Sequence, residues 1–198
     1  MAIHIQSFHG EQAKIYVSEV AQLRIDLFRN FPYLYDGSTA YEEKYLHTLI
    51  EAPENIIVMA FEDNAVVGAA CALPMRYETL NIQQPLIDKG YDIDQIYYFG
   101  ESIIRPSHRN RGFGKEFFRI REEWAQGLGW YDFITFCNIE RSTDHPAKNL
   151  DYKAPDEYWK SLGFQPTDMF CQIAWKELSE ANESPKPLRF WMKEIDNR

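Results

Sequence analysis

The run Arg109-Asn110-Arg111-Gly112-Phe113-Gly114 sets two glycines beside two guanidinium groups. A glycine-rich turn that opens a helix presents backbone N–H groups without intrahelical partners, at the positive end of the helix dipole. Such groups suit the oxygens of a phosphate. Glycine also lets backbone and ligand approach without a Cβ between them. Arg105, Lys115, Arg119 and Arg121 crowd the same stretch, in a chain whose formal net charge is −9. The spacing is neither the G-K-[ST] phosphate loop nor the G-x-G-x-x-G dinucleotide turn.

Regular elements must hold that turn in place. Ile96-Tyr97-Tyr98-Phe99 and Ser102-Ile103-Ile104 are β-branched and aromatic, as a buried strand is, and Pro106 ends it. Phe113, Phe117, Ile120, Trp124 and Leu128 recur every three or four positions and draw one apolar helical face. That helix begins near Gly112 and is closed by Gly127 and Gly129, and residues 131–137 read as the next strand. The unit is therefore strand, phosphate-type turn, helix, strand.

Upstream, residues 2–8 read as an opening strand, and Tyr16, Val20, Leu23 and Leu27 trace a first helix. An aromatic-rich loop at 31–37 leads to a second helix that starts after Ser38 or Thr39 and ends near Ile50. Residues 55–61 and 65–73 form a hairpin about 62–64, and 79–90 is an irregular or helical connection. Downstream, a polar segment over 138–155 precedes a short helix at 156–162, capped by Gly163. Two long strands, 168–178 and 188–195, close the chain across the polar loop 179–187. The pattern predicts an α/β fold with a mixed, mostly antiparallel sheet.

Ile104-Arg105-Pro106-Ser107-His108-Arg109-Asn110-Arg111-Gly112-Phe113-Gly114 closely resembles motif A of the GNAT family, the acetyl-CoA-dependent N-acetyltransferases. That motif runs apolar-x-Pro-x-x-[RQ]-x-x-G-x-[GA], and each fixed position is met. Tyr158-Trp159-Lys160-Ser161-Leu162-Gly163-Phe164 is similar to a second family segment, an aromatic residue on a helix followed by Gly-Phe. The order of elements extends the resemblance over residues 1–178. It implies the GNAT (acyl-CoA N-acyltransferase) fold as one domain over 1–198, its sheet flanked by helices and splayed near motif A to admit the pantetheine arm of CoA.

The resemblance also implies roles. The N–H groups of Arg111, Gly112, Phe113, Gly114 and Lys115 would hold the pyrophosphate of acetyl-CoA, with Arg109 and Arg111 beside it. The backbone of Ser102, Ile103 and Ile104 would pair with the pantetheine amides as an added strand does. An amine of pKa near 10.4 is neutral in about one molecule per few thousand at pH 7, a deficit of roughly 4–5 kcal/mol, so a base is useful. Several family members carry a catalytic carboxylate on the strand entering motif A, where Glu101 lies. Strand alternation turns Glu101 away from Ser102 and Ile104 unless a bulge re-aims it. A buried, hydrogen-bonded or solvent-facing carboxylate is the alternative reading, and Glu140 and His145 are further candidates for the base.

The family tyrosine that protonates the departing thiolate falls on Trp159, which has no suitable acid. Tyr158 is the substitute, although it points about 100° away on the helix, with Tyr152 as another; an ordinary packed aromatic remains open. Phe31, Tyr33, Tyr35 and Asp36 lie in the loop that commonly lines the acceptor pocket, and an aromatic wall with a carboxylate suits a cation. Aromatic core packing explains the same residues, and Trp175 and Trp191 read as packing residues. The missing tyrosine leaves a non-catalytic acetyl-CoA-binding regulatory module as the alternative function.

Composition bounds the rest. At 198 residues, 45% hydrophobic and 26% charged, the chain has the make-up of a soluble globular protein. The acidic balance argues against a nucleic-acid partner. No apolar run reaches the length of a membrane span, and the first residues lack a signal-peptide pattern. Cys71, Cys137 and Cys171 sit apart in apolar runs, which predicts free thiols in a reducing cytoplasm. No ligand spacing suggests a metal. The acceptor is expected to be a small-molecule or peptide amine, and the long C-terminal strands could support a homodimer.

Overall fold

The computed structural model describes residues 3–149 and 152–196. Ala2, which the sequence assigns to the opening strand, lies outside them. The chain begins with strand β1 (Ile3–Phe8) and a short 3-10 turn, then helix α1 (Val17–Phe28) and helix α2 (Thr39–Glu51). Ser38 caps α2 by accepting from Tyr41 N, so the helix starts where its hydroxyl can satisfy an orphan donor. The hairpin follows as β2 (Ile56–Glu62) and β3 (Ala65–Pro74), turning at Asp63 in the left-handed region, φ 55°. The connection over 79–90 is helical: α3 spans Leu80–Asp88.

The central unit is β4 (Ile96–Ile104), α4 (Phe113–Leu128) and β5 (Phe133–Ile139). Gly127 lies inside α4, and Gly129 at φ 82° is the residue that stops it. After α5 (Asp156–Ser161) come β6 (Gln165–Trp175) and β7 (Ser184–Glu194). Both last strands begin earlier than their apolar content predicts. Pro166 pairs with Trp191, and Lys186 and Pro187 pair with Ile173 and Gln172, because β6 and β7 extend one another beyond the part of β7 that also pairs with β5.

All seven strands form one sheet, ordered β1-β2-β3-β4-β5-β7-β6. Every neighbouring pair is antiparallel except β4 and β5. Helices α1 and α2 cover one face over β1 to β3, with Leu23, Leu46 and Leu49 meeting Met59 and Phe61. Helix α3 covers the other half of that face and packs beside β6, where Asn81 Nδ2 donates to Gln172 O at 2.8 Å. Helices α4 and α5 cover the opposite face through Phe117, Phe118, Trp159 and Phe164. No helix among the described residues is long and apolar enough to cross a membrane.

Two irregularities in β4 position the site. Ala70 pairs with Ser102 and Ala72 with Phe99, so Gly100 and Glu101 together oppose the single residue Cys71. This bulge reverses the facing of the strand at its midpoint. Beyond it, β4 and β5 part: their parallel pairing is confined to Ile96–Phe133, Tyr97–Ile134 and Tyr98–Thr135. Ser102 is consequently exposed in mid-sheet, where a paired strand would bury it.

Candidate active site

The turn into α4 has the geometry of an anion cradle. Gly112 is the N-cap residue at φ 87°, a left-handed conformation that a side chain would strain. A Cβ built there meets nothing within 4 Å, so the space before the helix is open. The helical ladder begins with Glu116 N donating to Gly112 O, which leaves the N–H groups of Phe113, Gly114 and Lys115 ahead of it. Arg109 and Arg111 fold back onto the carbonyls of Ile104 and Ser107, at 3.2 and 3.1 Å, and pair with no carboxylate among the described residues. Open space, three leading N–H groups and unneutralised guanidinium groups fit a phosphate-bearing ligand such as CoA.

At the bulge, Glu101 is buried on the α1 side. Its Oε2 takes both side-chain bonds: Arg24 Nη1 at 2.6 Å and the Cys71 thiol at 2.9 Å. Burial alone would raise the carboxyl pKa. The Arg24 charge and hydrogen bond, with the Cys71 donor, overcome that and hold it below the usual value. Arg24 also pairs with buried Glu42 and lies over the rings of Phe28 and Tyr45, 5.2 and 4.4 Å from their centroids. Burial pushes the Cys71 thiol well up, with the Glu101 charge adding to it, so it stays protonated and inert.

Arg121 holds the bulge from the opposite face. It is fully buried on α4 and donates to Cys71 O at 2.9 Å, Glu101 O at 3.4 Å and Ser102 Oγ at 2.6 Å. Its guanidinium stacks over Phe99 and Phe118. Burial lowers its pKa to about 10, which leaves it charged at neutral pH. Gly100 is required here because a Cβ would collide with Cys71 Sγ.

Beside Glu101 opens a cleft of about 170 Å³, floored by Gly100 and Glu101 and walled by Tyr33, Tyr35, Tyr45, Tyr98 and Trp175. The loop after α1 is pinned over it. Trp175 Nε1 donates to Tyr33 O at 3.0 Å, Arg141 donates to Pro32 O and Tyr33 O, and Tyr35 bridges to Glu177. Trp175 is thus a wall of the cleft as well as a packing residue, which its place on a final strand does not disclose.

The expected site residues separate into groups. Tyr33 and Tyr35 reach the cleft with Glu101. Phe31 instead lines a second cavity with Arg141, Tyr152 and Trp191. Asp36 is occupied by Lys176 at 2.8 Å on the surface. Glu140 is paired with Arg189, and His145 packs on Phe31 outside the cleft. Trp159 is buried between Phe136 and Trp191. Tyr158 turns toward α4, and its hydroxyl lies 3.2 Å from a Cβ built on Gly114. Burial raises the phenol pKa, against the Arg121 charge, so it carries its proton at neutral pH. No group of three or more His, Cys, Asp or Glu side chains that could hold a metal occurs among the described residues.

Arg24 and Glu42 were not singled out from sequence, and Arg121, counted there among the basic residues beside the turn, is instead buried under the bulge. Each has one signal: a charge set in the apolar stripe of its helix, as Glu42 is with Leu46, Leu49 and Ile50.

Comparison with known proteins bears on the family and the fold. The profile of the Acetyltransferase (GNAT) family matches residues 20–153. An N-acetyltransferase from Staphylococcus aureus Mu50 superposes with a TM-score of 0.64 at 11% identity, over 99% of this chain and 100% of that one. A putative acetyltransferase from Salmonella typhimurium, solved with its cofactor acetyl-CoA, gives 0.59 at 13% identity over 100% and 96%. An aminoglycoside 6'-N-acetyltransferase complexed with coenzyme A gives 0.58 at 18% identity over 98% of each chain. No curated protein sequence matches the chain.

Proposed function

The chain belongs to the GNAT acetyltransferase family, and from that premise we propose that it moves an acetyl group from acetyl-CoA to a primary amine seated beside Glu101. The observation that carries this reading is the division of labour along β4. Its bulge floors the cleft, its exposed Ser102 borders the gap left by β5, and its end leads through the 3-10 turn Pro106–His108 to the cradle at Gly112. One strand therefore reaches both reactants. Backbone at Ser102, Ile103 and Ile104 would take the pantetheine amides, and Arg109, Arg111 and the N–H groups from Arg111 to Lys115 the pyrophosphate.

Acetyl-CoA supplies the thioester. The amine nitrogen attacks its carbonyl carbon, the N–C bond forms and the C–S bond breaks. As that bond forms, the nitrogen turns from a base into an acid, so a carboxylate held at low pKa suffices to accept its proton. Glu101 fits that part, because Oε1 has no side-chain partner among the described residues while Oε2 is anchored. Tyr158 brings a protonated phenol to the start of α4 and is our donor for the departing thiolate. The free cysteines support a reducing compartment such as the cytoplasm.

Titration calorimetry with acetyl-CoA, CoA and 3'-dephospho-CoA tests the cradle, and thiol release with amines tests transfer. Absence of acetyl-CoA binding would overturn the reading. The burial of Trp159 where the family tyrosine is expected favours a second reading, a non-catalytic CoA-binding module. That module binds acetyl-CoA and releases no thiol with any amine.

A further inference from the structure

We propose that the acceptor is a primary monoamine on a compact aromatic body without a carboxylate; this rests on the transferase reading of the cleft beside Glu101. Size is the first argument. A dry cavity of about 150 Å³ holds one benzene ring, and this cleft measures about 170 Å³. It seats a single ring and a short arm against its floor. The walls are the second argument. Tyr33, Tyr35, Tyr45, Tyr98 and Trp175 offer ring faces and edges, which favour a flat apolar body at centroid spacings of about 4.5–7 Å.

Charge is the third argument and the most selective. Glu42 and Glu101 stand against a single cation, Arg24, so the cleft has one negative charge to spare for an ammonium group. Arg24 is also the only cation lining the cleft among the described residues. Its guanidinium is engaged by both carboxylates and stacked on two rings. A substrate carboxylate would lose its water and stand beside Glu101 without a free cation among the described residues of the lining. The one spare negative charge is taken by the first ammonium, so a second ammonium on a polyamine would have the ring faces but no further unpaired carboxylate charge in the cleft.

The test uses the full chain and three probes: 2-phenylethylamine, phenylalanine and spermidine. Calorimetry with the CoA-loaded protein reads binding independently of turnover. The inference expects 2-phenylethylamine to bind about ten-fold or more tightly than either competitor. Ala174, exposed at the rim of the cleft on β6, provides the control for location. Ala174→Trp should weaken 2-phenylethylamine by about ten-fold or more through steric filling while acetyl-CoA affinity holds. Equal or tighter binding of phenylalanine or spermidine overturns the inference, as does no binding of 2-phenylethylamine or an unaltered affinity in Ala174→Trp. Acetyl-CoA affinity and thiol release decide the transferase reading separately, so its failure is distinguishable from failure of this one.

Discussion

Arg24 Nη1 lies 2.6 Å from Glu101 Oε2, joining the middle of α1 to the bulge of β4. The pair ties the wall of the cleft to its floor, and both side chains are largely removed from water. A buried pair of this kind is weak evidence for net stability, because desolvation offsets its attraction. Its effect is to fix where the carboxylate stands and to keep it ionised.

Glu101→Gln keeps the shape and removes the charge. We expect turnover to fall by about 10²–10⁴-fold, the range for a positioned proton acceptor, with acetyl-CoA affinity held. The folded pKa of Glu101 is lowered, so the carboxylate is ionised in both states above the unfolded value near 4.3. Its stabilising contribution is present there and is lost as pH falls through the folded pKa. Between pH 6 and 9 the variant's rate should therefore drop evenly, with the rise toward the amine pKa intact. Steady-state rates across that range decide it, and wild-type turnover would remove Glu101 from the mechanism.

Gly112→Trp tests the cradle. Its φ of 87° costs a side-chain-bearing residue about 1–2 kcal/mol, and the open space ahead of the helix would be filled by indole. Loss of measurable acetyl-CoA binding in calorimetry, with a melting temperature lower by a few degrees only, is the expected result. Retained affinity would place the pyrophosphate elsewhere.

The cradle was legible because its signal is local: glycine, arginine and proline at fixed spacings in consecutive residues. The helices followed from apolar periodicity, and the sheet class from alternation and composition. Long-range pairing was not legible. Nothing near Glu101 in sequence announces Arg24 or Glu42, which arrive from α1 and α2, far away along the chain. Trp175 reads as a core residue until β6 carries it beside Tyr33. Starts of β6 and β7 were missed because Pro166, Lys186 and Pro187 lack strand propensity and enter the ladder only through the pairing of β6 with β7.

Arg121→Met asks how far the bulge depends on its clamp. Methionine retains apolar volume and leaves Cys71 O, Glu101 O and Ser102 Oγ without their donor. Such losses cost about 1–3 kcal/mol each when burial persists, and partial hydration reduces the sum to about 3 kcal/mol. The melting temperature should fall by roughly 6–12 °C. The catalytic efficiency, kcat/KM, should fall further than unfolding explains when measured well below the melting point. A variant with the expected melting temperature and full activity would show that the bulge holds its shape without Arg121.

Glu78, just before α3, gives a pH prediction of opposite sign. Burial raises its carboxyl, the Thr79 N–H and the Arg24 charge oppose, and the Glu101 charge adds, leaving its pKa at about 7. It has no cationic partner among the described residues. Between the unfolded value and 7 the folded protein binds the extra proton, so stability falls as pH rises through that window. The penalty above pH 7 is on the order of 2 kcal/mol, after discounting for partial exposure. Glu78→Gln removes an ionisation that folding opposes. Its melting temperature should exceed the wild type at pH 8 by roughly 4–8 °C and match it at pH 4.5. An equal gain at both pH values would mean that the amide is simply better packed, and no gain at pH 8 would mean that Glu78 is ordinarily solvated.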